Sequence, residues 1–565
     1  MSSPAASSSL SITAPQPTLR DPESHKPGND KPSYFRLLLD HAGVNQDVLD
    51  GQYRGNGTPQ DAYIVDFLTN DPRNPLQFPA WKKWSITILQ ALAVFALAFT
   101  STAYSSSVAD VKAEFQASTT IAILGVSMFV AGFAFGPLLW APLSEMYGRQ
   151  VLFFLTYMAL VAFNAAAAAA PNMPALIIFR LLGGTFGSSP LTNAGGVIAD
   201  MFSARERGIA TAVFAMAPFL GPSIGPIAAG FLDEYAGWRW VEGLLACFTG
   251  TIWIVISLSV PETYAPVILR RRAEKLSKIA GKVYISEVDV GKPTKTAGAE
   301  FKVAISRPLI LLFTEPIVFC TSLYVAVVYG TLYMMFAAFP IVFQQQRGWS
   351  QGISGLAFLG IAVGVVFAVG FCMYDAKRYI KASDQAEYPL PAEARLPAAI
   401  LGSVLLPIGL FWFAWTNGAG THWVDPIIAS AFFSAGLILV FLSLMNYLID
   451  SYVIYAASVL AANSVLRSLF GAAFPLFTTS MYKSLGIHWA SSIPAFLALA
   501  CLPFPLLFFK FGEAIRLKSK YSAEAANLLL KMQTSVDNDE PVPRILSGHP
   551  NEQESIPPEQ DKGKV

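Results

Sequence analysis

Long apolar blocks separated by short polar breaks dominate this chain. A helix needs about 20 residues to cross ~30 Å of hydrocarbon. Twelve blocks of about that length can be read, at about 85–105, 120–142, 151–170, 174–199, 209–232, 240–260, 316–342, 352–374, 397–416, 424–449, 456–480 and 490–510. Any reading with fewer spans leaves long apolar stretches in water. Trp81, Trp84, Trp238, Trp240, Trp412, Trp415, Trp423 and Trp489 fall at block ends, where aromatic rings anchor helices at the membrane interface. The pattern predicts an all-α polytopic membrane protein.

The polar breaks set the domain plan and the orientation. Residues 1–83 are polar and rich in Ser and Pro, and read as a disordered N-terminal tail. Residues 84–260 form one six-helix bundle, 261–308 a basic central loop, 309–510 a second six-helix bundle, and 511–565 a C-terminal tail. The segment 265–308 alone carries ten basic residues, including Arg270-Arg271-Arg272. Lys82, Lys83, Arg149, Arg205, Arg207, Lys377, Arg378, Lys381 and Lys510 fall on the same side as that loop. The opposite loops carry little beyond Lys112, Arg239, Arg347 and Lys483. Basic residues stay inside, so both termini and the central loop are expected in the cytosol. The tail lacks an apolar signal-peptide core, so the first span is expected to serve as its own insertion signal. The triplet Asn56-Gly57-Thr58 lies in this tail and is expected to be unused for glycosylation.

Composition narrows the classes further. The chain has 565 residues, of which 53% are hydrophobic and 14% charged, against about 25% charged in soluble domains. A net charge of +1 gives no field for nucleic acid. Cys247, Cys320, Cys372 and Cys501 all lie within apolar blocks, as small core residues rather than a disulfide framework or metal site. No phosphate-binding Gly-x4-Gly-Lys-Ser/Thr element, His-Glu-x-x-His or nucleophile–base pair is visible, so neither an ATP-driven pump nor an enzyme is expected, and no cofactor or metal.

The charges that do interrupt the apolar blocks carry the candidate chemistry. Between spans 2 and 3, Gly136 to Arg149 packs Glu145, Gly148 and Arg149 into one tight reversal. Gly148 permits the turn, and Glu145 and Arg149 can pair if it is helical. With Asp200 and Arg205 at the same face they form a candidate ion-pair latch. Arg180 lies about six residues into span 4, roughly 9 Å deep by helical rise. A charge there normally faces a cavity or a partner, and snorkelling to the interface is the bland alternative. Span 5 carries Pro218, Gly221, Pro222, Gly225 and Pro226, a series that allows close helix contact and a hinge. Arg467, near the middle of span 11, is the deepest charge, with Asn463 one turn earlier, and it suits an anionic group or a partner carboxylate. Tyr329, Tyr333 and Phe336 share one face of span 7, able to stack a substrate or simply to pack. Glu315 precedes Pro316 at a helix start, where the dipole stabilises it. Asp450 ends span 10 at the interface. Span 1 contains no acid.

These motifs carry a resemblance. The Gly136–Arg149 loop resembles the signature after the second helix of major facilitator superfamily transporters, and Arg180-Leu181-Leu182-Gly183-Gly184 resembles their span-4 motif. The span-5 Gly-Pro series is similar to the motif that marks antiporters. Asp71-Pro72-Arg73-Asn74-Pro75, Pro261-Glu262-Thr263-Tyr264, Glu315-Pro316-Ile317-Val318, Glu393-Ala394-Arg395-Leu396-Pro397 and Asn446-Tyr447-Leu448-Ile449-Asp450 look like fungal twelve-span drug:proton antiporters, over roughly residues 71–522. The resemblance implies a major facilitator fold of two six-helix bundles around a midplane site. It implies a plasma-membrane, monomeric carrier that exports small organic compounds (drugs, toxins, polyamines or secondary metabolites) in exchange for protons, with Arg180 in proton coupling. The bacterial relatives' carboxylate in span 1 has no counterpart here. A carrier of an organic acid or nutrient, possibly an importer, is the second reading, and a membrane receptor or scaffold the third.

Overall fold

The computed structural model describes residues 38–69, 71–203, 206–291, 297–385 and 390–524. The apolar blocks are helices throughout. Ala80–Ala103, Thr119–Tyr147 and Arg149–Ala168 are spans 1 to 3. Span 4 is in two pieces, Met173–Gly187 and Ser189–Met201, joined at Ser188. Arg207–Ala236 and Trp238–Ser259 are spans 5 and 6. In the second half, Pro316–Phe339 runs on into a wider turn at Pro340–Gln346 as span 7. Span 8 is Gln351–Leu356 followed by Leu359–Gln385, and spans 9 and 10 are Pro397–Thr416 and Val424–Ser451. The run Ala456–Cys501 is broken at Gly486 (φ +76°), which separates span 11 from span 12, and the latter continues through Pro503–Lys518. Twelve crossings put the start of span 1 at Ala80 and the end of span 12 at Lys518 on one face, called proximal below; the other is distal.

Helix contacts repeat from one half to the other. Span 1 packs on span 5 and span 7 on span 11; span 2 on span 4 and span 8 on span 10. Span 3 packs on span 6, as in the ring pair Phe154–Trp253, and span 9 on span 12, as in Phe411–Phe496. The halves meet through span 2 against span 11 and span 5 against span 8. Apolar side chains such as Ile254, Leu258, Phe313, Val363 and Phe367 remain exposed on the outside, which suits hydrocarbon rather than water.

The halves are tied together toward the distal face. A Cβ on Gly355 would lie 2.8 Å from the Pro226 carbonyl oxygen, and one on Gly230 would lie 2.9 Å from that of Gln351, so spans 5 and 8 touch backbone to backbone. The Gln351 amide donates to the Ser106 carbonyl and to Asp233, and the Gly352 N–H donates to Glu234 at 2.9 Å. On the proximal face the pairs Arg149–Asp200, Arg378–Asp375, Arg395–Asp450 and Arg516–Glu393 each lie within one half.

The expectation of a disordered tail over 1–83 needs correction. Residues 1–37 lie outside the described residues, but 38–83 fold against the central loop. Strand β1 (Tyr63–Val65) pairs in parallel with β2 (Tyr284–Ser286). Val44, Val48 and Val65 share a small core with Leu269, Ala273 and Leu276 of the helix Ala265–Ala280. Arg272 is wholly buried and pairs with Asp71 at 2.5 Å, while its Nε donates to the Ala42 carbonyl. Arg270 pairs with Asp289 at 2.7 Å and Lys275 with Asp40 at 3.2 Å. The basic run that serves topology thus also builds a docking surface. The C-terminal tail is likewise bound at its start. Ser519 and the Tyr521 N–H reach the buried Glu315, which also accepts from Tyr452 at 2.8 Å; residues 525–565 lie outside the described residues.

Removing one partner of a buried ion pair typically costs about 3–5 kcal/mol. Arg272→Ala should therefore release the N-terminal segment, read as faster amide exchange over Tyr63–Val65, with exchange in span 1 unchanged.

Candidate functional site

At the proximal face the reversal after span 2 is built around Glu262, a residue to which the sequence reading gave no role. Its carboxylate accepts the N–H groups of Arg149 (3.0 Å) and Gln150 (3.2 Å), the first turn of span 3. It also accepts those of Thr263 (3.0 Å) and Tyr264 (2.9 Å). A carboxylate is stabilised at a helix N-terminus, where donors are free and the dipole is positive. Gly148, at φ +102°, is required twice over: the backbone is left-handed, and a Cβ would lie 2.2 Å from Glu262 Oε2. Arg149 then pairs with Asp200 at 3.5 Å, donates to Ser144 at 2.6 Å and stacks on the Tyr264 ring at 4.7 Å. Gly196 leaves room for that guanidinium. Glu145 is exposed nearby, and Arg205 lies outside the described residues.

The second half repeats this arrangement. Arg395, just before span 9, pairs with Asp450 at the end of span 10 at 2.9 Å, as Arg149 and Asp200 do for spans 3 and 4. Glu393 takes two bonds from Arg516, the shorter 2.7 Å, and Gly512 gives it room. The interfacial Asp450 of the sequence is therefore half of a second Arg–Asp pair.

Arg180 does not reach the interface. It is buried, and its donors are used inward: Nε to the Gly125 carbonyl at 3.1 Å, and Nη2 to those of Thr100 at 3.1 Å and Ser101 at 3.4 Å. Nη1 meets Glu242 of span 6 at 3.4 Å. The guanidinium also lies over the rings of Tyr104 and Phe129, at 4.9 and 4.5 Å. Glu242 is as buried as its partner, and its Oε2 has no hydrogen-bond partner among the described residues. The sequence signal was present, an acid at the third position of the 240–260 block, but Trp238 and Trp240 beside it read as interface.

In span 5 the glycines let span 1 approach. A Cβ on Gly221 would lie 2.5 Å from the Phe95 carbonyl oxygen and one on Gly225 would lie 2.8 Å from that of Phe99. Pro226 has no N–H for the carbonyl of Pro222 one turn earlier, and Thr102 of span 1 donates there instead at 3.0 Å. Ser106 donates to the Pro226 carbonyl at 3.1 Å. The series Pro218 to Pro226 thus has a packing role in the structure.

Between the halves, Tyr329, Tyr333 and Phe336 form a continuous aromatic file, with rings 5.0 and 5.6 Å apart. Tyr333 bonds Ser101 of span 1 at 2.9 Å, and Phe336 stacks on Phe358 of span 8. Both are buried packing residues, and Tyr329 is the member that meets Arg467. Asn463 is buried and donates to Ser322 of span 7 at 3.4 Å. Arg467 lies over the Tyr329 ring at 4.8 Å and the Phe441 ring at 5.3 Å.

Two repeated bundles, each with an Arg–Asp pair at its proximal end and packed against each other through buried side chains, define a polytopic membrane protein of the transporter type. Residues 90–475 match the family model of the Major Facilitator Superfamily. The chain belongs to that superfamily. It is 56% identical over 503 residues to "Efflux pump FUBT" of Fusarium oxysporum, covering 89% of this chain and 85% of that protein. It is 58% identical over 499 residues to "Major facilitator superfamily multidrug transporter mdrA" of Aspergillus fumigatus, covering 88% and 82%. To "MFS-type efflux pump MFS2" of Trichophyton rubrum it is 56% identical over 510 residues, covering 90% and 86%. The solved proton:xylose symporter XylE shares the fold, with TM-score 0.55 at 15% identity over 77% of this chain and 96% of that one. The chain is a transporter of small compounds, of the efflux type.

Two predictions follow from this geometry. Overfilling a tight contact typically costs about 1–3 kcal/mol, so Gly221→Val should lower the melting temperature of the purified protein, whereas Gly243→Val, with open space around it, should not. Glu262→Ala removes the acceptor of four N–H groups, and bonds to a charged group contribute about 1.5–3 kcal/mol each. It should lower the melting temperature by more than Glu145→Gln does.

Proposed function

We propose that the protein exports small organic compounds across the plasma membrane in exchange for protons, as a monomer with both termini in the cytosol. The distribution of Lys and Arg supports that orientation, which makes the proximal face cytosolic and the distal face external. In this reading the bonds of Gln351 and Gly352 close the external side. The latches Arg149–Asp200 and Arg395–Asp450 keep each half rigid at the cytosolic side and exchange partners when that side shuts.

The observation that carries proton coupling is the buried pair Arg180–Glu242, with one carboxylate oxygen left without a donor. Span 1 offers no acid, and Glu242 is the acid nearest the site where spans 1, 2, 4 and 6 converge. A proton arriving from the external side adds to the free oxygen and neutralises Glu242. Arg180 is then held only by the carbonyls of Gly125, Thr100 and Ser101, which belong to spans 1 and 2. Spans 4 and 6 are thereby uncoupled, and the bundle is biased toward its other conformation. Release of the proton to the cytosol restores the pair, and export of one compound is tied to entry of charge.

Glu242→Gln mimics the protonated acid permanently. It should reduce net efflux driven by a pH gradient by on the order of tenfold, the equivalent of about 1.4 kcal/mol, while exchange of labelled for unlabelled substrate at equal pH continues. Full gradient-driven efflux by Glu242→Gln, or by Arg180→Lys, would overturn the coupling role.

A further inference from the structure

The contact between spans 5 and 8 at the distal face leaves one acid half satisfied. Asp233 lies in the last turn of span 5 and is only 3% exposed. Its Oδ2 accepts from the Gln351 amide of span 8, which also donates to the Ser106 carbonyl. Its Oδ1 is buried and has no hydrogen-bond partner among the described residues, and the same is true of the Ser107 hydroxyl. Ser107 immediately precedes the short helix Val108–Glu114, and Asp110 stands in the first turn of that helix. Asp110 faces Asp233 closely enough for the two carboxylates to act on each other.

The cations nearby are used elsewhere. Arg239 of span 6 pairs with Glu114 at 2.6 Å, and the Trp238 ring N–H donates to that same carboxylate at 2.6 Å. Lys112 is exposed, and Arg347, ahead of span 8, donates to the carbonyls of Gly418 at 2.7 Å and Thr421 at 2.9 Å. Of the other acids, Glu242 is held by Arg180, and the exposed Glu234 takes the Gly352 N–H at 2.9 Å. Two facing carboxylates without a cation repel each other, and one shared proton turns that repulsion into a hydrogen bond. A proton on Oδ1 of Asp233 would be donated to Asp110, leaving Oδ2 free to accept from Gln351. The closed contact thus supplies every partner that a protonated Asp233 needs and lacks one that the carboxylate needs.

We propose that Asp233 is a proton-binding site of the distal gate, sharing one proton with Asp110 while spans 5 and 8 are closed. The proposal rests on the reading that the bonds of Gln351 and Gly352 close the external side, and adds a proton to that closure. Opening withdraws Gln351 and lets water reach Asp233, so the proton leaves; closing takes it up again. This proton comes from outside and returns there, unlike the one assigned to Glu242, and is not carried across the membrane. External acid therefore favours the closed gate by shifting an equilibrium between two existing states.

The test is amide exchange of the purified full-length protein in mildly acid and mildly alkaline buffer. It is compared as protection over Gln351–Leu356, whose Gly352 N–H the gate covers. One linked proton shifts an equilibrium by up to about tenfold per pH unit, so the wild type should be more protected in acid by on the order of tenfold. Asp233→Asn keeps the acceptor for Gln351 and mimics the protonated acid. It should show the acid level of protection in both buffers. Asp110→Asn removes the facing charge without touching the Gln351 bond; it should shrink the response, and serves if the first variant does not fold. Equal protection of the wild type in both buffers would overturn the proposal, as would a response that Asp233→Asn leaves intact. Loosening in acid would also overturn it and assign the response to Glu234, whose bond to Gly352 a proton would weaken. Because Asp233→Asn disfavours the outward-open state, it should also slow export of a compound that the wild type clears from yeast. The expected gate response beside unchanged export would leave the proton site standing and overturn the assignment of the external gate instead.

Discussion

A charge inside a bilayer must have a partner, and most of what is distinctive in this protein follows from that constraint. The burial of Arg180 and Glu242 is tolerable because three backbone carbonyls and two aromatic rings complete the guanidinium's shell. Those carbonyls belong to spans 1 and 2, so the pair fixes spans 1, 2, 4 and 6 in one arrangement. The same demand organises the proximal face, where Glu262 satisfies four N–H groups and so holds span 3 against the end of span 6. Buried pairs of this kind contribute little net stability. In the proposed cycle their value lies in specificity, since exchanging one set of partners for another favours switching between states over gradual deformation.

The second organising feature is repetition. Spans 1 to 6 and 7 to 12 make the same contacts in the same order, and Arg395–Asp450 stands in the second half where Arg149–Asp200 stands in the first. The halves differ in their deep charges. The first has a closed pair, Arg180–Glu242, and the second an open cation, Arg467. Between them Ser101 and Tyr333 join span 1 to span 7, and Ser101 also presents its carbonyl to Arg180, so the two elements are a few bonds apart.

Much of this was legible in the sequence for a simple reason: a charge within an apolar block is conspicuous. The spans, Arg180, Arg467 and the Gly148-Arg149 reversal were found that way. Glu242 escaped because it follows Trp238 and Trp240, whose belt character masked an acid only one turn deeper. Glu262 escaped because its partners are backbone N–H groups, which no side-chain pattern reveals. The Tyr329, Tyr333 and Phe336 spacing gave the shared face correctly but not what covers it, since Ser101 and Phe358 come from other spans. The folding of 38–83 was hidden by distance along the chain: β1 and Asp71 find β2 and Arg272 about two hundred residues later, and neither half of that interface is apolar enough alone to announce itself.

The measurement that bears most directly on the account is the sign of proton movement caused by substrate. The protein would be reconstituted in vesicles holding a trapped pH-sensitive dye, with no gradient imposed, and a compound that the protein exports from yeast would be added outside. Exchange through the protein makes the lumen more alkaline, because each molecule that enters sends protons out. The account predicts that the lumen becomes more alkaline than in vesicles without protein, and that Glu242→Gln removes the difference. Acidification beyond that in vesicles without protein would mean that substrate and proton travel together, and would contradict it.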